Sequence, residues 1–391
     1  MGWCTTADLD RFATAAGGYL TARAAENTLL LSAAHAARSG WRARGARQPP
    51  GTVGPGDPDG PDGPGGPGGP GGATAGTARR GAAPNGVSPL FGWWEPPDGS
   101  GPRGAFLHDP TVPLLIAGRT PEMAAALAAL LAKTGRPVCG VDAPVDAADA
   151  FAAAWHQRAG TTVRVHRSCR VYRLVPATAG AFESPGPSGR LRVATAADLE
   201  LLAGWLAACA TEAAARIGSP QDLARELIGY GGAVFWDVPQ RASRLREAAQ
   251  FLAGPHHREP GSHHDVAYQP VAMVVLTRPV AGTVRVSMVY TLPERRRNGY
   301  AAAVTFAASR AALDGTAPGC PAPDRQRPVT QVVLITDGSR PDRMVSRLGY
   351  QLVDERAVFR FGPPTSPQPQ LKSASRPMPR LPTGPLPRLR R

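Results

Sequence analysis

The sequence predicts an α/β chain built around a mixed sheet, and three observations predict it. In the C-terminal half, helical segments with apolar periodicity alternate with short runs rich in Val, Thr and aromatic residues. The N-terminal half repeats that order in weaker form. Glycine and proline, 45 and 42 of 391 residues, are bunched rather than spread, so the globular sequence is shorter than the chain.

In the first half, Glu26 to Ala37 reads as a helix and Leu90 to Trp94 as a strand. Gly104 to Gly118 reads as a strand hairpin, Pro121 to Lys133 as a helix and Val163 to Leu174 as a terminal strand. The Trp93-Trp94 pair is assigned to core packing. Residues 43–87 interrupt this half with a Gly/Pro tract in which Gly60, Gly63, Gly66, Gly69 and Gly72 recur at a spacing of three. So few triplets cannot sustain a triple helix, and the tract reads as a flexible insertion. Residues 1–175 are therefore one expected unit and 176–189 a linker.

The second unit, residues 190–361, opens on Thr195-Ala196-Ala197-Asp198, a capping-box pattern for a helix through about Ile217. Ser219-Pro220 starts another helix, with Ser as cap and Pro at the first helical position. Strands follow at Ala233 to Val238, Val271 to Leu276 and Thr283 to Thr291, the last two joined by a turn at Pro279 to Gly282. A helix over Gly299 to Leu313, a buried strand over Gln331 to Thr336, a short helix near Asp342 to Leu348 and a strand over Ala357 to Phe361 complete the unit. Residues 362–391 read as a disordered, basic, Pro-rich tail.

Composition narrows the function classes. No apolar stretch is long enough to span a bilayer and Met1 to Asp10 has no leader pattern, so a cytoplasmic protein without a membrane partner is expected. The five cysteines are scattered, without a C-x-x-C pair, which suggests neither a zinc site nor a disulfide framework. His256, His257, His263 and His264 share a Pro/Gly-containing insertion without ligand spacing, so no metal is expected. The formal charge of +14 owes much to Lys372, Arg376, Arg380, Arg388, Arg390 and Arg391 in the tail, and a nucleic-acid partner is not expected.

Chemistry concentrates in Val289-Tyr290-Thr291-Leu292-Pro293-Glu294-Arg295-Arg296-Arg297-Asn298-Gly299-Tyr300-Ala301. A strand enters a basic turn, Gly299 permits a backbone that other residues resist, and a helix follows at once. The first amides of a helix lack internal partners and sit at the positive end of its dipole, so this junction is suited to phosphate. A solvated basic turn is the alternative reading of the same residues.

The run Arg296-x-x-Gly299-x-Ala301 after Val-Tyr-Thr resembles the acetyl-CoA-binding motif of the GNAT superfamily of N-acetyltransferases, and Arg347-Leu348-Gly349-Tyr350 followed by an Arg-Phe strand resembles its C-terminal signature. The resemblance covers residues 190–361 and implies the GNAT acyl-CoA N-acyltransferase fold there, with the first half a second, degenerate GNAT-like copy. It implies acetyl-CoA as co-substrate. The main chain of Val289, Tyr290 and Thr291 would pair with the pantetheine arm, and the amides of Arg296, Arg297, Asn298, Gly299, Tyr300 and Ala301 would hold the pyrophosphate. The implied activity is acetyl transfer to a primary amine, by direct attack, on a small-molecule or peptide acceptor. A non-catalytic acyl-CoA-binding or interaction module is the competing reading, because Val345 stands where the family's usual tyrosine acid would be. Asp337, Tyr290 and Glu294 are the remaining candidates for proton transfer. The sequence specifies neither the acceptor nor the oligomeric state.

Overall fold

A computed structural model describes residues 2–38, 88–179, 186–213, 217–240, 267–316, 328–338 and 343–364. The Gly/Pro tract, the four-histidine insertion, Cys320 and nearly all of the basic tail lie outside the described residues.

The first half runs β1 (Gly2–Thr6), α1 (Leu9–Ala22), α2 (Thr28–Arg38), β2 (Leu90–Glu95), β3 (Gly104–His108), β4 (Leu114–Ala117), α3 (Pro121–Lys133), β5 (Gly140–Pro144), α4 (Val145–Ala159) and β6 (Thr161–Leu174). A four-residue helix, α5 (Pro176–Ala179), leads out of it. The second half runs β7 (Arg190–Val193), α6 (Leu199–Glu212), α7 (Pro220–Tyr230), β8 (Ala233–Pro239), β9 (Tyr268–Leu276), β10 (Thr283–Thr291), α8 (Tyr300–Leu313), β11 (Gln331–Asp337), α9 (Arg343–Arg347) and β12 (Gln351–Pro364).

Several boundaries follow from local chemistry. Asp8 caps α1 by accepting from the amides of Asp10 and Arg11. Ser219 caps α7 through the amide of Asp222, Pro220 fills its first turn, and Gly231 ends it in the left-handed conformation. The Thr195/Asp198 capping box forms, but it opens a 3-10 turn over Ala196–Asp198, and α6 begins only at Leu199 and ends at Glu212 rather than near Ile217. Arg192 explains the short turn, since its guanidinium reaches both Asp198 and Asp237 and draws the cap back against β7 and β8. Between β9 and β10, Ala281 and Gly282 both have positive φ while Val280 and Thr283 exchange backbone hydrogen bonds at 2.9 Å, a two-residue hairpin turn of the primed kind.

The strands form one twelve-stranded sheet in the order β1-β2-β3-β4-β5-β12-β6-β11-β10-β9-β8-β7. Substituting β7–β12 for β1–β6, and the reverse, regenerates the same order. The last strand of each half is exchanged: β12 pairs with β5 of the first half, and β6 pairs with β11 of the second. The two exchanged strands then pair antiparallel with each other along most of their length.

Helices cover both faces of each half. In the first half, α3 and α4 bury Met123, Leu127, Leu131 and Phe151 on one face, and α1 and α2 bury Phe12, Leu20 and Leu30 on the other. In the second, α8 and α9 pack on one face through Val304, Ala308 and Val345, and α6 and α7 on the other through Leu202, Leu206 and Leu227. Trp93 is buried under α1, and Trp94 makes an edge contact with Trp3 at 5.4 Å between ring centroids, so both tryptophans serve packing.

Candidate functional site

In each half one pair of parallel strands separates part of the way along. β10 and β11 are paired from Thr283/Gln331 to Val286/Leu334, after which β10 continues to Thr291 and β11 to Asp337 without mutual pairing. A β-bulge between Val286 and Met288 marks the point of separation, as an extra residue bends one strand away from its neighbour. On the other side β10 stays paired with β9 as far as Thr291/Ala272. The Leu292 amide donates to the Val271 carbonyl, and hydrogen bonding alternates along an antiparallel ladder. The backbone groups of Val289 and Thr291 are thereby directed into the fork, and those of Tyr290 toward β9.

Downstream of the fork, Pro293–Arg295 forms a single 3-10 turn and α8 starts at Tyr300. Arg297 and Gly299 both have positive φ, 63° and 84°, while the intervening Asn298 does not. Such alternation curves successive amides around a common centre, an arrangement suited to anions, at the positive end of the α8 dipole. The Asn298 side-chain amide stitches the loop by donating to the Arg295 carbonyl at 3.2 Å. Gly186, in the crossing between the halves, lies against the first turn of α8, where an added Cβ would come within 2.7 Å of the Ala303 side chain.

The three arginines of the loop are not equivalent. Arg295 and Arg297 are exposed or partly so. Arg296 ion-pairs with Glu212 at the end of α6, at 2.6 Å, and donates through Nε to the Thr291 carbonyl at 3.1 Å, so its side chain ties the loop to α6. Of the proton-transfer candidates, Tyr290 is buried beside Trp205 at 5.7 Å between centroids. Burial raises its pKa above the ordinary phenol range and Glu212 reinforces this, with Arg296 opposing. Glu294 is exposed in the 3-10 turn. Val345 is buried in the core under α8, and the nearby Tyr350 hydroxyl shares a 2.7 Å hydrogen bond with Ser309 inside it.

Asp337 is placed differently. It ends β11 at the rim of a cavity of about 90 Å³ whose lining also includes Ser287, Thr336, Arg167, Cys169, Arg285, Asp142 and Arg356. Ser287 and Thr336 are the fork's own residues, while Arg167 and Cys169 come from the exchanged strand β6. Burial pushes the Cys169 thiol up to about 11, so it is protonated at neutral pH and not a nucleophile. None of the residues contributed by β5, β6 and β12 is accessible to motif reading, since only the strand exchange carries them to the fork.

The first half has the corresponding fork, and it is filled. β4 and β5 are paired only at Leu114/Val141 and Leu115/Asp142. Beyond that point the Arg356 guanidinium donates to the carbonyls of Ile116 on β4 and Asp142 on β5, at 3.3 and 2.9 Å, and its Nε bonds the Asp142 carboxylate at 2.8 Å. Arg356 and Asp142 are almost wholly buried. Arg170 stands opposite Thr336 on β11 as Arg356 stands opposite Pro144 on β5, yet it pairs with Glu355 at 3.1 Å instead.

Among the described residues no group of three or more His, Cys, Asp or Glu is placed to hold a metal, and no helix is long and apolar enough to cross a membrane.

No family model matches the chain, and no curated protein matches it. Among solved structures, a GNAT-family acetyltransferase from Colwellia psychrerythraea is similar at 12% identity and a TM-score of 0.41, over 70% of this chain and 85% of that one. A Drosophila protein is similar at 11% identity and a TM-score of 0.48, over 93% and 99%. A tandem GNAT protein from the clavulanic acid biosynthesis pathway is similar at 13% identity and a TM-score of 0.37, over 72% and 84%.

Proposed function

We propose that the second half is a GNAT-type N-acyltransferase that takes acetyl-CoA into the β10/β11 fork and transfers the acetyl group to a primary amine. One observation carries the reading: the fork ends in a loop whose left-handed Arg297 and Gly299 lead directly into α8, so an extended arm between the strands would place its phosphates on the helix N-terminus. The residues fit such a co-substrate. Val289 and the Thr291 amide offer hydrogen bonds along the fork, and the amides of Arg296 to Ala301 would meet the pyrophosphate, with Arg295 and Arg297 adding charge. Bound acetyl-CoA supplies an activated acyl group.

The chain's own contribution is to hold the amine beside the bulge, to exclude water beneath α2, and to move its proton. Asp337 is the residue we assign to that proton, because it alone of the three candidates lines the cavity at the fork. Tyr290 and Glu294 are assigned to packing and to the surface.

The first half is read as a degenerate copy of the same fold. The symmetric strand order supports the duplication, and Arg356 in the β4/β5 fork supports the loss of its cofactor slot. Its remaining role would be to wall the acceptor cavity with β5, β6 and α2.

The second reading, an acyl-CoA-binding module without turnover, draws on buried Val345 and on the Tyr350 hydroxyl held by Ser309, which leave no tyrosine of the C-terminal signature for the departing thiolate. Calorimetric titration of acetyl-CoA into the parent and into Gly299→Glu tests the site, and thiol release with an amine panel separates the two readings. Binding lost in the variant is expected together with turnover. No binding by the folded parent would sink both readings, and binding without turnover would leave the second.

A further inference from the structure

Helix α6 ends on an acid. Glu212 is its last residue and its last turn holds no basic residue, although the carbonyl end of a helix is its negative end. An acid is locally unfavourable there, and the residue that compensates it lies 84 positions away, in the loop of the fork: Arg296 donates to the Glu212 carboxylate at 2.6 Å. The same guanidinium donates through Nε to the Thr291 carbonyl at 3.1 Å and lies 5.8 Å from the centroid of the Tyr290 ring. Arg296 is thereby anchored to the end of β10 and to the end of α6, although its side chain is 42% exposed.

This anchoring holds the next residue. Among the described residues, only Ala281 and Arg297 combine a Cβ with a positive φ. Ala281 is fixed by the hairpin turn between β9 and β10, whereas Arg297, at 63°, lies in a loop. A side chain resists the left-handed region, and such a residue persists only where its surroundings fix it. Arg296 is fixed on one side of it, and on the other Asn298 donates to the Arg295 carbonyl at 3.2 Å. The two contacts bracket Arg297. A carboxylate at this place has two opposed effects on a phosphate-bearing ligand: through space it repels the ligand, and through Arg296 it pre-orders the amides that would receive it.

We infer that Glu212 is a positioning residue for the cofactor loop: with Arg296 it keeps Arg297 left-handed and the amides of Arg296 to Ala301 in order, and so raises the affinity of the fork for acetyl-CoA in spite of its own negative charge. This rests on the reading that the fork takes acetyl-CoA. Arg296 is then a staple, and Arg295 and Arg297 are the loop's remaining cations for the phosphates. The unfavourable acid at the end of α6 is explained by what it does for the loop.

The test is calorimetric titration of acetyl-CoA into the full chain as the parent, Glu212→Gln, Glu294→Gln, Arg296→Met and the double variant Glu212→Gln with Arg296→Met, each checked for folding by thermal melting. Glu294 is an exposed acid of the same loop, so its variant measures what the loss of one negative charge does by itself. Glu212→Gln should weaken binding roughly two- to fivefold, the range an exposed ion pair supports. Its melting midpoint should stay level or rise, with the acid gone from the helix end. Glu294→Gln should leave binding level or tighten it. Arg296→Met should weaken binding further, and in that background Glu212→Gln should cost nothing more, since the two residues act as one unit. Binding by Glu212→Gln as tight as the parent's or tighter, or an equal loss in the Arg296→Met background, would overturn the inference. If the folded parent does not bind acetyl-CoA, the acyl-transfer reading has failed by itself, and inorganic pyrophosphate titrated into the same variants decides the loop. Pyrophosphate binding that Glu212→Gln weakens upholds the positioning role for another phosphate ligand; no binding, or binding unchanged in that variant, overturns it.

Discussion

Arg356 and Asp142 lie 2.8 Å apart, both almost wholly buried, although they belong to opposite halves of the chain and are separated by more than two hundred residues. The guanidinium also bridges the carbonyls of Ile116 and Asp142, so one side chain from β12 satisfies both edges of the β4/β5 fork. Arg356→Met would leave the Asp142 carboxylate buried without its cation, and removing one partner of such a pair typically costs about 3–5 kcal/mol. Urea denaturation should show a loss of that order. The double variant Arg356→Met with Asp142→Asn should recover part of it, since the buried Asp142 charge is then removed together with its cation.

Gly299 allows bulk and backbone effects to be separated. Its φ of 84° is open to glycine, and another residue there pays roughly 1–3 kcal/mol for the left-handed region. Gly299→Ala should lower thermal stability modestly and weaken acetyl-CoA binding through the altered loop. Gly299→Glu adds a negative charge at the proposed phosphate position and should abolish binding in a chain that still folds, as circular dichroism and calorimetry together would show.

The elements with strong periodicity or punctuation were legible in the sequence: α3, α7, α8, β8 to β11 and the turn at Ala281-Gly282 fall where capping residues, Gly/Pro signals and β-branched runs place them. Elements without those signals were not. β1, α1, β5 and α4 escape notice because α4 is rich in alanine, with weak amphipathic contrast, and β1 and β5 are five-residue strands. The last strand, expected over Ala357 to Phe361, spans Gln351–Pro364, and its alternation is obscured because both edges are paired and both faces partly covered. The candidate site was half legible. The loop from Arg296 to Ala301 is local, so its residue types carry its geometry. Arg167, Cys169, Asp142 and Arg356 reach the fork only by strand exchange, and no local pattern encodes which strands that exchange brings beside it.

Tyr290 gives a prediction about proton transfer. Burial raises its phenol pKa above the ordinary value, with Glu212 adding to the effect, so the folded chain keeps the proton on through neutral and mildly alkaline pH. The phenol therefore cannot serve there as a base. Tyr290→Phe should leave the shape of the pH–rate profile unchanged, with any fall in kcat small beside that of Asp337→Asn.

Asp198 should make the second half sensitive to acid. Burial alone would raise its pKa, but bonds from Arg192 and from the Thr195 amide and hydroxyl outweigh that and hold it below the usual carboxylate value. A depressed folded pKa means stabilisation that is present above the unfolded value, about 4, and lost as pH falls through the folded one. Asp198→Asn should therefore lower stability at neutral pH and flatten its decline below about pH 4, as measured by denaturant midpoints across that range.

The strand exchange predicts that neither half is complete alone. Residues 190–361 expressed by themselves lack β6, so β11 loses one neighbour and β12 loses both β5 and β6. Residues 1–175 lose β12 from between β5 and β6, and with it the cation that compensates Asp142. Each fragment should expose unpaired strand edges and aggregate or remain unfolded. Co-expression of the two should instead give a soluble heterodimer by size exclusion, because every strand pair of the sheet can then re-form between chains. A monomeric, cooperatively folding 190–361 fragment would show that the exchanged strands are dispensable, and would move the boundary of the functional unit back to the one the linker at 176–189 suggests.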